Sequence, residues 1–301
     1  MKAIQFSRFG GPEVLELVEL PDPRPGAGQI RVAVRAAAVN PIDWKVRSGA
    51  MGGDLPQTTG REVAGVVDEL GDGVTDVAPG DAVFGFAAGG GGAAELALAS
   101  DYARVPPSLD FAGAAGLPVA VETAVRTLDL LGVGDGTTVL VNGAAGAVGS
   151  SAVQLARARG ARVIGTASPG NHDYLRSLGA EPTTYGDGLV ERVRELAPDG
   201  VDSALDAAGG GALPPLVELA GGAEQVVTIA DYAGAQATGA SFSGGMGTAR
   251  AVRALNDIGE LIESGRFSLP VAQTFPLEQI GNAHRVSEGG HVRGKLVLLV
   301  G

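Results

Sequence analysis

The sequence contains no cysteine. Its absence excludes disulfides and every cysteine-ligated metal site, and it fits a protein of a reducing compartment. The three histidines, His172, His284 and His291, lack the spacing of a ligand cluster. No apolar run approaches the roughly 20 residues that a membrane-spanning helix needs, and the first residues lack the charged-then-apolar layout of a secretory signal. These absences predict a cytoplasmic protein without a membrane partner.

Positive charge is also scarce, because 22 Lys and Arg residues stand against 34 Asp and Glu residues, a net charge of −12. That balance argues against nucleic acid as the main partner. Hydrophobic residues make up 45% of the 301 residues, which is enough for a substantial core and leaves room for two domains. Glycine is abundant, with 49 residues, so any glycine motif has to be weighed against chance.

The pattern along the chain changes near residue 108. Before it, short strands are punctuated by glycine and proline, with alternation clearest at Ile30, Val32 and Val34. After it, Ser108 is the predicted N-cap of a long helix, and strands then alternate with single helices. This order predicts a parallel sheet with crossover helices. Towards the end come a helix in "TARAVRALNDIGELIESG" and a last strand, "GKLVLLVG", which we expect to return to the first domain.

The segment "VLVNGAAGAVGSSAVQLARARG", residues 139–160, combines a strand, a glycine-alanine turn and a helix. Val148 and Gly149 open that helix, whose free N–H groups and dipole favour a bound phosphate. A tight corner without a ligand is the alternative interpretation. The strand–turn–helix–strand order favours a dinucleotide cradle.

Cofactor choice should be encoded at the end of the next strand. An NAD site usually places Asp or Glu about 20 residues beyond the glycine loop. Here Ala167 occupies that place, and the first acid is Asp173. A carboxylate would repel a 2′-phosphate, so its absence predicts NADPH. The predicted hydrogen-bond donors to that phosphate are Ser168, Asn171, His172 and Tyr185. Alternatively, Ser168 and Asn171 form a turn and cap a helix.

Seven segments together resemble a known family. They are "MKAIQFSRFGGPEVLEL", "AAVNPIDWKVRSG", "GREVAGVV", "AGLPVAVETAVRTL", "VLVNGAAGAVGSSAVQLA", "HDYLRSLGA" and "HVRGKLVLLV". Over essentially its whole length, the chain resembles zinc-free medium-chain dehydrogenases/reductases of the quinone oxidoreductase branch. The resemblance implies an α/β fold: a Rossmann-type doubly wound parallel sheet (residues 111–265) and a GroES-like β-rich domain formed by residues 1–110 and 266–301. It also implies a homodimer, and the strand "AEQVVTIAD" is a candidate for extending the sheet across a two-fold axis.

Two positions depart from zinc-dependent relatives. Asn40 stands where those enzymes have a cysteine ligand, and Arg61 stands before Glu62 where they have a histidine ligand. Their structural-zinc lobe needs four cysteines. No metal is therefore expected. Simple alcohol oxidation loses its electrostatic support without a Lewis acid, whereas hydride addition to a quinone or enone gives a delocalised oxyanion that one or two hydrogen bonds can stabilise.

The resemblance implies roles for several side chains. It places Asn40 beside the nicotinamide and Thr123 near the nicotinamide and phosphates. Lys45 and Arg47 follow Asn40 closely in the chain, so they are candidates to neutralise a developing enolate or phenolate. Alternatively, Asn40 is a turn former before Pro41, and Thr123 is an ordinary helix position. The alternative for Lys45 and Arg47 is a solvated charged face. Glu62 would orient its neighbours or hold Arg61, Trp44 would line the cleft or pack, and Arg293 and Lys295 would be mainly structural.

The predicted sites are thus the following. Asn40 and Lys45 are the predicted catalytic residues. The predicted cofactor-binding residues are Asn40, Thr123, Ala144, Gly146, Ala147, Val148, Gly149, Ser168, Asn171, His172, Tyr185 and Ala230.

Three functions remain open from the sequence. The first is an NADPH-dependent reductase that transfers a hydride to a quinone or α,β-unsaturated carbonyl, with positioning as the main catalytic effect and water as the proton source. The second is an NADPH-binding protein without turnover, such as a sensor. The third is a lyase or cyclase that uses the same fold.

Overall fold

The computed structural model describes residues 1–244 and 252–301. By its internal contacts the chain divides into two units. The first consists of Met1–Val119, Leu255–Ser264 and Leu269–Gly301, and the second of Ala120–Ala254 and Gly265–Ser268. The domain limits expected from the sequence stay a prediction.

Strands and helices cover most of the described residues. The strands are β1 Lys2–Phe6, β2 Glu16–Glu19, β3 Ile30–Val39, β4 Gln57–Thr58, β5 Glu62–Leu70, β6 Ala82–Ala87, β7 Leu96–Arg104, β8 Thr138–Asn142, β9 Arg162–Thr166, β10 Glu181–Thr183, β11 Ser203–Asp206, β12 Val226–Thr228, β13 Ser241–Phe242, β14 Val271–Pro276 and β15 Lys295–Leu299. The helices are α1 Pro41–Arg47, α2 Phe111–Ala115, α3 Leu117–Leu130, α4 Ala147–Ala158, α5 His172–Ser177, α6 Leu189–Leu196, α7 Leu213–Ala220, α8 Tyr232–Thr238, α9 Arg253–Glu263 and α10 Ile280–Glu288.

The first unit is built on a six-stranded sheet of order β14-β15-β3-β5-β6-β7. Strand β7 pairs back onto β3, so four of the strands close on themselves and leave fewer free edges. Strand β15 runs antiparallel to β3, with Leu296 opposite Val39. The expectation that the last strand returns to the first domain is confirmed. A smaller sheet has the order β2-β1-β4.

The second unit contains a six-stranded, fully parallel sheet of order β10-β9-β8-β11-β12-β13. In chain order this is 3-2-1-4-5-6, the doubly wound Rossmann order. The predicted α/β fold is confirmed. The strand order reverses between β8 and β11, and a ligand crevice forms at such a reversal, outside the carboxyl ends of the strands.

The long helix predicted after Ser108 is two helices, and Ser108 does not cap them. Leu109 N bonds to Pro106 O (3.0 Å), so a turn occupies these residues and the helix begins later. Asp110 is the N-cap of α2, accepting a hydrogen bond from Gly113 N (2.8 Å) on its side chain. Ser108 N donates instead to Glu263 (3.1 Å).

Two other expectations change near the end of the parallel sheet. Strand β12, within "AEQVVTIAD", is paired with β11 on one side and β13 on the other, so it cannot extend the sheet to a second chain. The prediction of that strand as an extending edge is wrong, and the short strand β13 follows it outward. Helix α9 begins at Arg253 among the described residues, and the first four residues of the helix predicted from "TARAVRALNDIGELIESG" lie outside them.

Candidate functional site

The glycine turn between β8 and α4 is packed too tightly for larger residues. Gly143 has a φ of +77°, in the left-handed region that favours glycine. A Cβ on Gly149 would lie 2.2 Å from Gly143 O and 2.8 Å from Ala144 Cα. The first turn of α4 therefore rests directly on the backbone of the preceding loop, as the third glycine of a dinucleotide motif requires.

The amino end of α4 presents backbone N–H groups that no side chain caps. Its N-cap is Gly146, with extended backbone and no side-chain hydrogen bond. A Cβ on Gly146 would meet only Gly143 O, at 3.5 Å, so the space in front of this helix end is open. Helix N-termini with free N–H groups attract anions. The predicted residues Ala147 and Val148 lie here, half-buried, and the residues present fit a dinucleotide pyrophosphate.

A row of buried polar side chains at the carboxyl ends of the parallel strands supports the glycine turn. Thr166 Oγ1 donates to Asn142 Oδ1 (2.6 Å), Asn142 Nδ2 donates to Asp206 Oδ1 (2.8 Å), and Thr228 Oγ1 donates to Asp206 Oδ2 (2.7 Å). All four side chains are buried. They end the neighbouring strands β9, β8, β11 and β12, so the sheet register brings them together.

The same row holds the loops at the carboxyl edge of the sheet. Gly143 N donates to Thr166 Oγ1 (3.1 Å), which fixes the start of the glycine turn. Asp206 also accepts from the backbone of Ala208 and Gly209, and Thr228 Oγ1 accepts from Ala230 N (3.1 Å). The predicted residue Ala230 is therefore held by Thr228.

Sequence reasoning missed this row, although a signal was present. The buried strands "TVLVN", "RVIGT", "SALD" and "VVT" each end in a polar residue. Four such residues at the same edge of a parallel sheet predict a shared network, once the strand order is known.

The predicted 2′-phosphate residues follow β9 and β10. Asn171 Nδ2 donates to Ser168 Oγ (3.1 Å), and His172 Nε2 lies 3.3 Å from Ala167 O, so the structure brings these three predicted residues into one turn. Tyr185 lies on the loop after β10, which pairs with β9, and it is 51% exposed. The bond between Asn171 and Ser168 is the turn that the alternative interpretation described, and their hydroxyl and amide groups are only half-buried.

Thr123 lies within a buried charged cluster on α3. Its Oγ1 donates to Glu122 Oε2 (3.4 Å), and Arg126 Nε donates to Glu122 Oε1 (2.7 Å). Arg126 Nη1 also bonds the Ser243 hydroxyl. All four side chains are buried, and sequence reasoning did not single out the charged neighbours of Thr123.

In the first unit, Asn40 belongs to a second buried polar cluster. Its Nδ2 donates to Glu62 Oε1 (2.8 Å), and its Oδ1 accepts from Lys295 Nζ (2.7 Å). Lys295 also forms an ion pair with Glu62. The exposed fractions of Asn40, Glu62 and Lys295 are 5%, 0% and 3%. Strands β15, β3 and β5 are neighbours, so the start of β15, the end of β3 and the start of β5 meet.

Asp43 extends this cluster by one carboxyl group. Its Oδ2 accepts from Asn40 N (2.7 Å), and its Oδ1 lies 3.9 Å from Arg61 Nε. Burial raises the pKa of Asp43 from 3.8 to about 6. Glu62 thus holds Lys295 instead of Arg61, so the interpretation that Glu62 holds the arginine before it is wrong. The sequence led us to expect a mainly structural role for Lys295, and its contact with Asn40 was not predicted.

Lys45 and Arg47, both on α1, have different surroundings. Lys45 is half-buried, and its Nζ lies 5.7 Å from the centroid of the Trp44 ring. Arg47 is buried: it donates to Gly10 O (3.1 Å), contacts His284 Nδ1 (3.3 Å) and pairs with Glu288. A solvated charged face is therefore wrong for Arg47, whose guanidinium is used to join α1 to α10.

Among residues 1–244 and 252–301, no cluster of three or more His, Asp or Glu side chains is arranged to hold a metal ion. Over the same ranges, none of the helices has both the length and the apolar character needed to cross a membrane.

The chain matches two family models. The model of the alcohol dehydrogenase GroES-like domain matches residues 26–123, and that of the zinc-binding dehydrogenase matches residues 178–298. Rat quinone oxidoreductase is 42% identical over 173 residues, which are 56% of this chain and 53% of that protein. The alignment therefore spans about half the length of this relative.

Solved structures match over the full length. The quinone oxidoreductase from Coxiella burnetii is 33% identical, with a TM-score of 0.86 over 100% of this chain and 99% of that one. A mycobacterial protein complexed with NADPH is 27% identical, with a TM-score of 0.83 over 99% of this chain and 100% of that one. The identity and the coverage of the Coxiella structure, together with the reversal of the parallel sheet behind the glycine turn, show that the chain belongs to the medium-chain dehydrogenase/reductase family, in its quinone oxidoreductase branch.

Proposed function

We propose that the protein uses NADPH to reduce a quinone or an α,β-unsaturated carbonyl without zinc. The observation that carries the cofactor choice is the turn after β9. It offers Ser168, Asn171 and His172, and it has no carboxylate before Asp173, so a 2′-phosphate would meet hydrogen-bonding groups without a repelling charge. The mycobacterial relative complexed with NADPH supports the same choice.

Bound NADPH supplies the hydride, and the acceptor takes up one proton from water, so a quinone becomes a hydroquinone and NADPH becomes NADP⁺. The protein's part is to hold the acceptor and stabilise the oxyanion that develops on it. Asn40 donates a hydrogen bond to that oxyanion, and Lys45 adds positive charge nearby. Zinc independence is supported by Asn40, which stands where zinc-dependent relatives have a cysteine ligand and whose side-chain oxygen accepts a hydrogen bond from the ammonium of Lys295.

The first test is oxidation of NADPH and NADH, followed by nicotinamide absorbance, with a panel of substituted quinones and conjugated enones. We expect rapid NADPH loss with at least one acceptor, slower NADH loss, and no effect of a chelator. NADPH binding without oxidation by any acceptor would overturn the reductase and favour the non-redox alternative. Product formed without NADPH consumption would favour a lyase or cyclase. We also infer that the protein is a cytoplasmic homodimer. Ultracentrifugation of the purified protein tests whether it is a dimer.

The cofactor choice has its own prediction. We expect Ser168→Asp to lower kcat/KM for NADPH by on the order of 10- to 100-fold, because a carboxylate would face the 2′-phosphate. The value for NADH should stay within about threefold of wild type, since NADH lacks that phosphate. Ser168→Asn is the matched neutral control and should keep the preference for NADPH. Equal losses for both cofactors in Ser168→Asp would contradict the assignment of this turn.

A further inference from the structure

We propose that Lys295 is a positioning residue that fixes and polarises the side-chain amide of Asn40. The inference rests on the proposed function in one respect, namely that Asn40 donates to the oxyanion of the acceptor. Its structural part, the control of the Asn40 amide by Lys295, stands on the geometry of the first unit alone.

The chemistry of its two partners fixes the orientation of the amide. An ammonium can only donate hydrogen bonds, and a carboxylate can only accept them. Lys295 Nζ lies 2.7 Å from Oδ1, and Glu62 Oε1 lies 2.8 Å from Nδ2. A flipped amide would put its NH₂ group against the ammonium and its oxygen against the carboxylate. Charged partners on both sides therefore allow one orientation.

This orientation leaves one N–H of Asn40 for a ligand. Asn carries two N–H donors on Nδ2, and Glu62 is the acceptor that the described part of the chain supplies to that nitrogen. Both oxygens of Glu62 are engaged, because its Oε2 accepts from Val119 N (2.7 Å) and its Oε1 accepts from Asn40 and Lys295. The second N–H is the group that a substrate oxygen would meet.

Lys295 also makes this N–H a stronger donor. A cation on the amide oxygen draws electron density from the nitrogen, and such polarisation along a hydrogen-bonded chain is largest where water is excluded. Lys295 is 3% exposed and Glu62 is 0% exposed. The ammonium thus delivers positive charge to the substrate oxygen through the amide. Glu62 balances the charge of Lys295, because a buried ammonium without a counter-charge would be unfavourable.

A purely structural ion pair between β15 and β5 is the competing explanation, and two variants separate it. Lys295→Met alone leaves Glu62 buried without its cation, so loss of stability there is expected from either explanation. Lys295→Met combined with Glu62→Gln removes both charges and should recover folding. A structural role predicts that activity recovers as well, whereas positioning predicts that it does not.

The direct readout is the nitrogen resonance of Asn40 and needs no cofactor. The sequence has five asparagines, so selective ¹⁵N-asparagine labelling gives five side-chain amides, and Asn40→Ser assigns the relevant one. We expect Lys295→Met/Glu62→Gln to move the Asn40 side-chain signals and to speed exchange of their protons with water. The other four amides should stay in place. Lys295→Arg, which keeps the cation, should move the signals least.

The kinetic readout is kcat of the same variants with a quinone or enone that the wild-type protein reduces. We expect the double variant to lose kcat by on the order of 10- to 100-fold, as for a weakened oxyanion donor, while its Kd for NADPH, measured by fluorescence, stays within about twofold. Lys295→Arg should retain most of kcat. Arg194→Met/Glu218→Gln is the matched control, because it removes an exposed ion pair (2.8 Å) in the second unit. It should leave kcat unchanged.

Either of two results overturns the proposal. One is an Asn40 amide whose signals and exchange are the same in the folded double variant as in wild type. The other is a double variant that turns over at the wild-type rate although its Asn40 signals have moved. A wild-type protein that oxidises no NADPH would refute the proposed function, and the resonances would still decide whether Lys295 controls the amide.

Discussion

At the scale of single residues, Gly149 and Gly146 in the turn between β8 and α4 have different roles. Gly149 is required for packing, because a Cβ there would lie 2.2 Å from Gly143 O. Gly146 has ordinary backbone angles, with φ of −74°, and its Cβ would meet only one atom, at 3.5 Å. Packing does not require a glycine at position 146. We therefore infer that this residue is a glycine because it keeps the space in front of the helix open.

These two glycines give a paired prediction. Gly149→Ala should lower the free energy of unfolding by about 1–3 kcal/mol, since the added methyl overpacks the turn, and it should weaken NADPH binding as a consequence. Gly146→Ala should leave the urea unfolding midpoint near wild type and still weaken NADPH binding at least about tenfold, because the methyl group would stand where the pyrophosphate approaches. Urea unfolding and fluorescence titration measure both. Wild-type affinity in Gly146→Ala would mean that the pyrophosphate binds elsewhere.

At the scale of elements, the polar row at the carboxyl ends of four strands links their loops into one unit. Asp206 is its centre, since it accepts from Asn142, Thr228 and the backbone N–H groups of Ala208 and Gly209. The glycine turn after β8 and the loop that contains Ala230 are therefore coupled through one carboxylate, although they follow strands that are not adjacent.

We expect Asp206→Asn to be costly, because an amide nitrogen would replace one of two oxygens that together accept four hydrogen bonds. The loss should be about 1–3 kcal/mol in the free energy of unfolding, with weaker NADPH binding, measured by urea unfolding and by fluorescence titration. Asp202→Asn is the matched control: Asp202 is exposed at the other end of β11 and accepts one bond, from Thr138 N (2.7 Å). Equal effects of both substitutions would remove any special role of Asp206.

Local elements were predictable where the signal lies within a short segment. The strand, turn and helix of residues 139–160 follow from a β-branched apolar run, glycines and helical periodicity that lie close together in the chain. The pairing of Lys295 with Glu62 was not predictable, because 233 positions separate the two residues and only the strand order brings them together. Helix α8 and strand β13 were missed since "DYAGAQATGASF" is rich in small residues that carry little apolar periodicity.

At the scale of the whole molecule, two buried groups of the first unit give opposite responses to pH. Burial raises the pKa of Asp43 from 3.8 to about 6. Burial and the charge of Arg47 lower the pKa of His284 from 6.5 to about 3. The contribution of Asp43 to stability is complete below about pH 4 and is lost as pH rises through 6. That of His284 is complete above about 6.5 and is lost as pH falls towards 3.

Between pH 4 and 6 these two contributions oppose each other, so the pair leaves little slope in wild type. We expect Asp43→Asn to unmask a stability that rises with pH by up to about 1.4 kcal/mol per pH unit, the value for one proton. His284→Gln should unmask a fall of similar size. Urea unfolding at pH 4.5, 5.0 and 5.5, at constant ionic strength, measures the difference from wild type. Parallel profiles for all three proteins would contradict these pKa shifts.

The pairing of Glu62 with Lys295 also has a consequence during protein synthesis. A ribosome that adds roughly 5–20 residues per second needs about 10–50 s to make the 233 positions between them. Throughout that interval the carboxylate of Glu62 lacks the ammonium of Lys295, and its burial would be unfavourable. The strands that surround Asn40 can therefore complete their core only after β15 has been translated, whereas every strand of the parallel sheet has been made earlier.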